Sequence, residues 1–219
     1  MTQVKLIGYT KGVGELESAD CQELIAFCAR VSNPANQMNS ETSEKLIKYL
    51  IKHAHWSPLE MVNATLEINT TRDIAHQIVR HRSFSFQEFS QRYANPEEMG
   101  DMFELSEARL QDLKNRQNSV QTEDKELQEA WREYQEGVIQ IASEAYNWAL
   151  DNGIAKEQAR KVLPEGLTKT RLYMNGTLRS WVHYIELRGS NGTQKEHMEI
   201  AHACAKVIAE IFPLAKELV

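Results

Sequence analysis

Hydrophobic and polar positions recur at regular intervals along most of the chain, and these intervals predict its strands and helices. Alternation of apolar and polar residues predicts strands at 4–9, 61–70 and 168–174, because successive side chains of a strand point to opposite faces. Apolar residues that recur every three or four positions predict helices instead. The helices are expected at 20–31, 40–53, 71–81, 122–150, 154–163, 178–187 and 199–218.

Short polar residues mark where several of these elements begin or end. Asp20, Ser40 and either Thr71 or Thr70 each precede a helical pattern, and their side chains can accept hydrogen bonds from the free amides of a first helical turn. We therefore expect them to cap those helices. The pair Asn175-Gly176 is a common turn sequence, and it predicts a turn between the last strand and the helix that follows.

The helix predicted at 122–150 has an apolar stripe with heptad spacing. The stripe steps by four and three residues through Leu127, Trp131, Tyr134, Val138, Ile141, Ala145 and Trp148. Such spacing is typical of a helix that packs on other helices, either within a chain or across a subunit boundary. We expect its aromatic residues to be core rather than cofactor contacts. The polar segment before it, 97–121, predicts a mobile insertion or lid with a weak helical stripe.

Composition and pattern together indicate the class of fold. The alternating strand at 61–70 has one apolar and one polar face, which is typical of an antiparallel sheet. A chain of 219 residues with 42% hydrophobic content can bury a substantial core. We therefore expect an α+β fold over residues 1–219, a single domain with an antiparallel sheet flanked by long helices.

Charge and cysteine content exclude several classes of function. The formal net charge of −6 argues against nucleic acid as the main partner, because phosphate backbones require a basic face. No apolar run approaches the roughly 18 residues of a membrane span, and no signal-peptide pattern opens the chain. Three cysteines without a Cys-x-x-Cys spacing indicate reduced thiols. These features predict a cytoplasmic protein without a membrane partner.

One stretch, at 80–93, combines charges and aromatic rings in an unusual way. It holds three arginines, a histidine and a glutamate, with Phe84, Phe86 and Phe89 between them. Arginine matches phosphate oxygens with its planar fork, whereas phenylalanine favours burial. The stretch therefore predicts a partly buried anion site with a phenylalanine floor, and a solvated basic helix end is the alternative. Helical spacing would place Gln77, Arg80 and His81 on one face.

This stretch also resembles the signature of a known family. Arg80, His81 and Arg82, followed after seven residues by Ser90, resemble the motif of the flavin-dependent thymidylate synthases. Four further positions match its extended form, namely Ser85, Glu88, Arg92 and Tyr93. The resemblance continues in three other blocks, at 55–60, 157–164 and 177–188. Gln91 departs from it, since glycine is frequent there.

The resemblance implies a role for individual residues. It implies FAD binding by Ser57, Arg80, His81, Arg82, Glu88, Thr177, Arg179 and His183, with His55 on the folate side. It implies dUMP binding by Gln77, Arg80, Glu88, Ser90, Gln91, Arg92, Arg160 and Arg188. Arg188 would contact the pyrimidine and help to ionise its N3 atom, and Ser90 would position the substrate by hydrogen bonding rather than by covalent attack.

The reaction implied is the reductive methylation of dUMP to dTMP. The carbon donor would be 5,10-methylenetetrahydrofolate, and NADPH would supply the electrons through FAD. The family also implies a homotetramer with its active sites at subunit junctions. No glycine-rich dinucleotide fingerprint is present in the sequence. His53, His55, His76 and His81 could be assembled into a metal site, but their spacing does not suit one, and we expect no metal.

Two functions from other classes remain as alternatives. A non-catalytic nucleotide-binding or phosphate-binding regulator would keep the arginines and bind dUMP without flavin. A nucleic-acid-binding module would be retained on DNA in a way that weakens steeply with salt, although the acidic balance of the chain argues against it.

Overall fold

The structure is a computed structural model that describes residues 3–190 and 192–218. Its strands are β1 (Gln3–Tyr9), β2 (Asn63–Thr71), β3 (Ser85–Glu88), β4 (Arg109–Gln111), β5 (Ser119–Gln121) and β6 (Lys169–Thr177). Its α-helices are α1 (Cys21–Ala29), α2 (Ser43–Lys52), α3 (Arg72–Ile78), α4 (Lys125–Asp151), α5 (Lys156–Ala159), α6 (Leu178–Arg188) and α7 (Lys195–Ile208). None of the described helices is both long and apolar enough to cross a membrane.

An antiparallel sheet with strand order β1-β2-β6-β3 organises the fold. Strand β6 pairs along its whole length with β2, from Lys169 opposite Thr71 to Thr177 opposite Asn63. On its other side β6 pairs with β3, the strand that contains part of the 80–93 stretch. The predicted α+β class with an antiparallel sheet is confirmed. The pairing also brings the 80–93 stretch beside the strand that leads directly into α6.

The core lies between one face of this sheet and helices α3, α6 and α7, and α1 and α2 also contribute buried residues to it. The predicted inward face of β2 is confirmed, because Val62, Ala64, Leu66 and Ile68 are all buried. Trp181 of α6 is fully buried, and its indole N–H donates to the carbonyl oxygen of Ala64 at 3.1 Å. Helix α6 is therefore held against the middle of the sheet.

The ends of two helices differ from the prediction. Helix α1 has the expected Asp20 cap, which forms a capping box with Glu23. The expected Ser40 cap is wrong, because the chain makes a turn from Ser40 to Ser43 before α2 begins. Helix α3 ends at Ile78, so Arg80 and His81 do not continue a helical face. The chain must leave the helix there because strand β3 begins only a few residues later.

The expected turn at Asn175-Gly176 is also wrong, since both residues lie within β6. Gly176 is opposite Ala64 of β2, and the ring of Phe84 covers it. A Cβ atom on Gly176 would lie 2.4 Å from Cδ1 of Phe84. The absence of a side chain at this position therefore serves close packing, not chain reversal.

Residues 109–121 form a hairpin, where the sequence predicted a weak helical stripe across 97–121. Strands β4 and β5 pair antiparallel, with Leu110 opposite Val120. The side chain of Asp112 accepts hydrogen bonds from the amides of Lys114 and Asn115, which turns the chain between the two strands. Leu113 is 98% exposed at this turn.

The long helix is confirmed as α4, but most of its apolar stripe is exposed in this chain. Six members of the stripe are exposed, namely Leu127, Trp131, Tyr134, Val138, Ile141 and Trp148. The residues of α4 that are buried are Gln135, Ala142, Tyr146 and Ala149. The prediction that the stripe aromatics are core is therefore wrong for this chain by itself. Packing across a subunit boundary remains a prediction.

Candidate active site

Arg188 and His81 meet at the C-terminal end of α6. The guanidinium Nε of Arg188 donates to Nε2 of His81 at 2.9 Å, which leaves the ring proton of His81 on Nδ1. Burial and, to a smaller extent, the neighbouring charge of Arg188 lower the pKa of His81 to about 4. His81 is therefore neutral at physiological pH. Among the described residues no carboxylate forms an ion pair with Arg188, so its charge is available to a ligand.

A chain of hydrogen bonds lies directly behind this pair. The ring of His81 contacts that of Tyr184 edge-on, with 5.0 Å between centroids. The hydroxyl of Tyr184 is 3.1 Å from Nε2 of His197, and Nδ1 of His197 is 3.3 Å from Oε1 of Gln77. Gln77 in turn donates to Gln194 at 2.7 Å. The sequence did not reveal His197, Tyr184 or Gln194 as part of the site.

The loop that carries His81 is held against α6 by Phe84. The ring of Phe84 packs edge-on against Trp181 at 4.8 Å, and the hydroxyl of Ser180 donates to the carbonyl oxygen of Ser83 at 3.2 Å. Phe84 and Phe86 are partly buried and pack against the core. The burial predicted for the phenylalanines is confirmed in part for these two residues.

A second group gathers around the first half of α6. His183 lies against Trp56, with 4.4 Å between ring centroids, which places it beside the exposed Ser57. Arg179 donates a hydrogen bond to the carboxylate of Glu60, which lies in the same 53–60 segment as Trp56 and Ser57. This group therefore offers a hydroxyl, a guanidinium and an imidazole beside an aromatic ring.

Two further predicted residues lie near this group. Thr177 caps α6 by accepting from the amide of Ser180. His55 is exposed, and its ring lies 6.2 Å from that of Tyr49 between centroids. His55 thus belongs to the edge of the 53–60 turn, on the side of α2.

Glu88 is held by two partners that the sequence did not indicate. Its Oε1 atom accepts from the hydroxyl of Thr170 at 2.9 Å and from Nη1 of Arg72 at 3.2 Å. Thr170 comes from β6 and Arg72 from the first turn of α3. These contacts hold the carboxylate at the edge of the sheet through its Oε1 atom.

Ser90 and Gln91 follow at a tight turn. The carbonyl oxygen of Ser90 accepts from the amides of Tyr93 and Ala94. Gln91 is buried, and its Nε2 atom has no hydrogen-bond partner within the described part of the chain. A buried amide donor without a partner is costly, which is consistent with a site that a ligand completes.

The remaining predicted arginines are spread over the adjacent surface. Nε of Arg92 lies 3.8 Å from a carboxylate oxygen of Glu157, which brings the signature next to the segment that contains Arg160. Arg80 and Arg82 are exposed and form no ion pair with any described residue. Like charges this close together repel unless an anion lies between them.

A cavity within the described part of the chain lies next to this site rather than within it. Its volume is about 550 Å³, and its walls come from the start of α3, residues 104–109, α4 and the start of α7. Gln194 lines it and also contacts Gln77. Arg80, Ser90 and Arg188 do not line it. These three predicted site residues therefore lie outside this cavity.

The cysteines and histidines offer neither a thiolate nor a metal centre. Burial raises the pKa of the Cys21 thiol to about 11, and it also raises the pKa values of Cys28 and Cys204. Protonated thiols are poor nucleophiles. Within 3–190 and 192–218, no cluster of three or more histidine, cysteine, aspartate or glutamate residues could hold a metal ion.

Comparison with known proteins gives consistent results. The profile of the family described as thymidylate synthase complementing protein matches residues 15–214. A probable flavin-dependent thymidylate synthase of Paramecium bursaria Chlorella virus 1 is 52% identical over 215 residues, which cover 98% of this chain and 97% of that protein. A flavin-dependent thymidylate synthase of Synechocystis is 49% identical over 212 residues, covering 96% and 95% respectively.

A solved structure supports the fold. The UMP/dUMP methylase PolB from Streptomyces cacaoi, crystallised with 5-Br dUMP, superposes with a TM-score of 0.79 at 24% identity. The match covers 100% of this chain and 94% of that one. The signature read from the sequence, the family profile and the relatives agree, and the chain belongs to the family of flavin-dependent thymidylate synthases.

Proposed function

We propose that the protein is a flavin-dependent thymidylate synthase that methylates C5 of dUMP in the cytoplasm. It takes its carbon unit from 5,10-methylenetetrahydrofolate and its electrons from NADPH through FAD. The observation that supports this most directly is the pair of Arg188 and His81, a cation without a carboxylate partner at the end of α6. Two relatives with 52% and 49% sequence identity to it carry this name, the first as a probable member.

The residues around the first half of α6 have the chemistry that FAD requires. Ser57, Thr177, Arg179 and His183 would hold the flavin, because they present donors beside the flat ring of Trp56. Arg80, His81, Arg82 and Glu88 would complete this site. When bound, FAD supplies reversible two-electron transfer, which none of the side chains can provide. His55, at the edge of the same turn, would contact the folate.

Arg188 acts on the pyrimidine ring. With its Nε held by His81, the rest of the guanidinium is free to face the N3 and O2 edge of the uracil. A fixed cation there stabilises negative charge as it develops on the ring, an effect worth about 3 kcal/mol for a preorganised donor. His81 contributes by being neutral, since a second charge would repel Arg188.

The rest of the nucleotide is bound by the signature and its neighbours. Arg92 and Arg160 take the phosphate with Gln77, which agrees with the ion pair that joins their two segments. Ser90 positions the substrate by hydrogen bonding. The unpartnered amide of Gln91 is a further donor for it. Arg80 and Glu88 line the same nucleotide site.

The active sites form at the junctions of a homotetramer. Two features support this assembly: several site residues, such as Arg80, Arg82 and His183, are exposed, and α4 presents an exposed apolar stripe. Exposed apolar surface of this extent usually marks an interface.

The decisive experiment is a turnover assay of purified protein loaded with FAD. With dUMP, 5,10-methylenetetrahydrofolate and NADPH present, we expect dTMP to appear, and we expect NADPH to bleach the flavin absorbance in a dUMP-dependent way. The control is the same assay on protein that has been stripped of flavin and receives no FAD. A protein that binds dUMP but takes up no flavin would instead be a nucleotide-binding regulator, and salt-sensitive retention on DNA would indicate a nucleic-acid-binding module.

A further inference from the structure

Behind the proposed nucleotide site lies a buried polar pair that no catalytic role accounts for. His197 of α7 is completely buried, and Tyr184 of α6 is 1% exposed. Buried polar groups of this kind are normally retained only where their hydrogen bonds are satisfied. Here the bonds form a line from Tyr184 through His197 and Gln77 to Gln194.

The chemistry of the atoms gives this line one direction. Oε1 of Gln77 can only accept, so Nδ1 of His197 must carry the proton that it donates. Nε2 of a neutral His197 is then an acceptor, and the hydroxyl of Tyr184 donates to it. At the other end, the amide nitrogen of Gln77 donates one of its two protons to Gln194. Burial, Arg188 and His81 lower the pKa of His197 to about 3, which keeps it neutral.

We propose that His197, backed by Tyr184, is a positioning residue that fixes the side-chain amide of Gln77 so that its second N–H points into the nucleotide site. This inference rests on the proposed function, in which Gln77 helps to bind dUMP. It gives Gln77 a single role, as a donor to an anionic oxygen of the nucleotide.

The orientation of the Gln77 amide is fixed because the flipped amide would leave a buried donor unpaired. If the Gln77 amide flipped, its nitrogen would face Nδ1 of His197. Nδ1 would then have to accept, so the ring proton of His197 would have to lie on Nε2 instead. Nε2 would then face the Tyr184 hydroxyl as a donor, and this hydroxyl would lose its acceptor. An unsatisfied buried donor is costly. Tyr184 therefore sets the tautomer of His197, and His197 sets the amide.

Three substitutions separate this role from simple packing. His197→Leu removes both bonds, whereas His197→Asn keeps an amide donor near the position of Nδ1. Tyr184→Phe keeps the ring packing but removes the hydroxyl that sets the tautomer. The affinity of FAD-loaded protein for dUMP is measured by equilibrium dialysis, and KM and kcat are measured separately. The wild type must first form dTMP, since its failure to do so would concern the proposed function and not His197.

We expect His197→Leu to weaken dUMP binding roughly tenfold, with kcat changed by less than about twofold, because the lost contact corresponds to one oriented hydrogen bond. His197→Asn should recover most of the affinity, and Tyr184→Phe should lose about threefold. In a Gln77→Ala background, His197→Leu should have no further effect on dUMP binding. Equal losses in both backgrounds, or wild-type affinity in His197→Leu, would overturn the inference. If His197→Leu does not fold, the dUMP affinity of Tyr184→Phe tests the inference, and wild-type affinity in that variant would overturn it.

Discussion

Arg188 is the residue on which the proposed chemistry depends most. It is the last residue of α6, and its Nε is occupied by a neutral histidine, so that the remaining N–H groups are presented together in a fixed plane. A lysine could supply the charge but not this planar fork. The contribution of Arg188 should therefore appear in the transition state more than in the binding of cofactor.

We expect Arg188→Ala to retain FAD and to lose at least about a hundredfold in kcat, because one preorganised charge contact is removed. Arg188→Lys should recover only part of the loss. Flavin content is read from absorbance and turnover from dTMP formation. Arg132→Ala, on an exposed turn of α4, is the matched control and should leave both unchanged. Unchanged kcat in Arg188→Ala would remove Arg188 from the mechanism.

The neutral state of His197 has a consequence for stability against acid. Its pKa is about 3 in the folded protein and about 6.5 in an exposed chain, so the unfolded state binds more protons between these values. The free energy of unfolding should therefore fall as pH is lowered from 6.5, by up to about 1.4 kcal/mol per pH unit from this residue. Urea unfolding of His197→Asn between pH 6.5 and about pH 5 should show a shallower slope than the wild type. Parallel slopes would contradict the assignment.

At the scale of elements, the sheet determines the local backbone where sequence signals are ambiguous. Helical spacing correctly predicted most helices, and alternation predicted β1, β2 and β6. The pattern failed where a distant partner decides the conformation. Residues 79–81 leave the helix because β3 must reach β6, and Asn175-Gly176 continues a strand because β2 pairs with it.

The same limit applies to the candidate site. The sequence pointed to Arg188 and His81, which the structure brings together across 107 residues. It gave no sign of His197, since a lone histidine on a helix has no local pattern and its partner Gln77 lies 120 residues away. Arg72 was missed for the same reason, because its partner Glu88 lies on a separate strand, 16 residues away.

The close contact between β6 and the signature loop can be tested at Gly176. A methyl group there would overlap the Phe84 ring, so Gly176→Ala should reduce the free energy of unfolding by about 1–3 kcal/mol. It should also raise the KM for dUMP, because Phe84 anchors the loop that carries His81. Gly8→Ala, in β1, is the control, since a Cβ there meets nothing within 4 Å. Equal stability of the two variants would show that Phe84 moves freely.

The apolar stripe of α4 predicts how the subunits associate. A glutamate at Ile141 or Trp148 would place a charge in a buried interface, so each substitution should reduce the molecular mass in light scattering and abolish turnover with it. Asn147→Glu is the matched control, because this exposed position faces away from both the stripe and the buried side of the helix. If both stripe variants keep the wild-type mass, α4 is not an interface.

For the molecule as a whole, the thiols should be dispensable for catalysis. All three cysteines have raised pKa values, and Cys204 is completely buried in the core. We expect a variant with Cys21→Ala, Cys28→Ala and Cys204→Ala to keep kcat within about threefold of the wild type, provided that its melting temperature allows folding. Loss of turnover in a folded variant that still binds FAD and dUMP would point to a thiol nucleophile.

Helix α6 joins the two halves of the site, with Arg179 near its start and Arg188 at its end. These residues are separated by nine helical steps, or about 13 Å along the axis. Deleting one residue between them would turn everything beyond it by about 100°, and Arg188 would swing away from His81. The turn at 112–118, by contrast, does not set the orientation of one site residue relative to another. Related chains should therefore differ in length within that hairpin over evolutionary time, while the count from Arg179 to Arg188 stays constant.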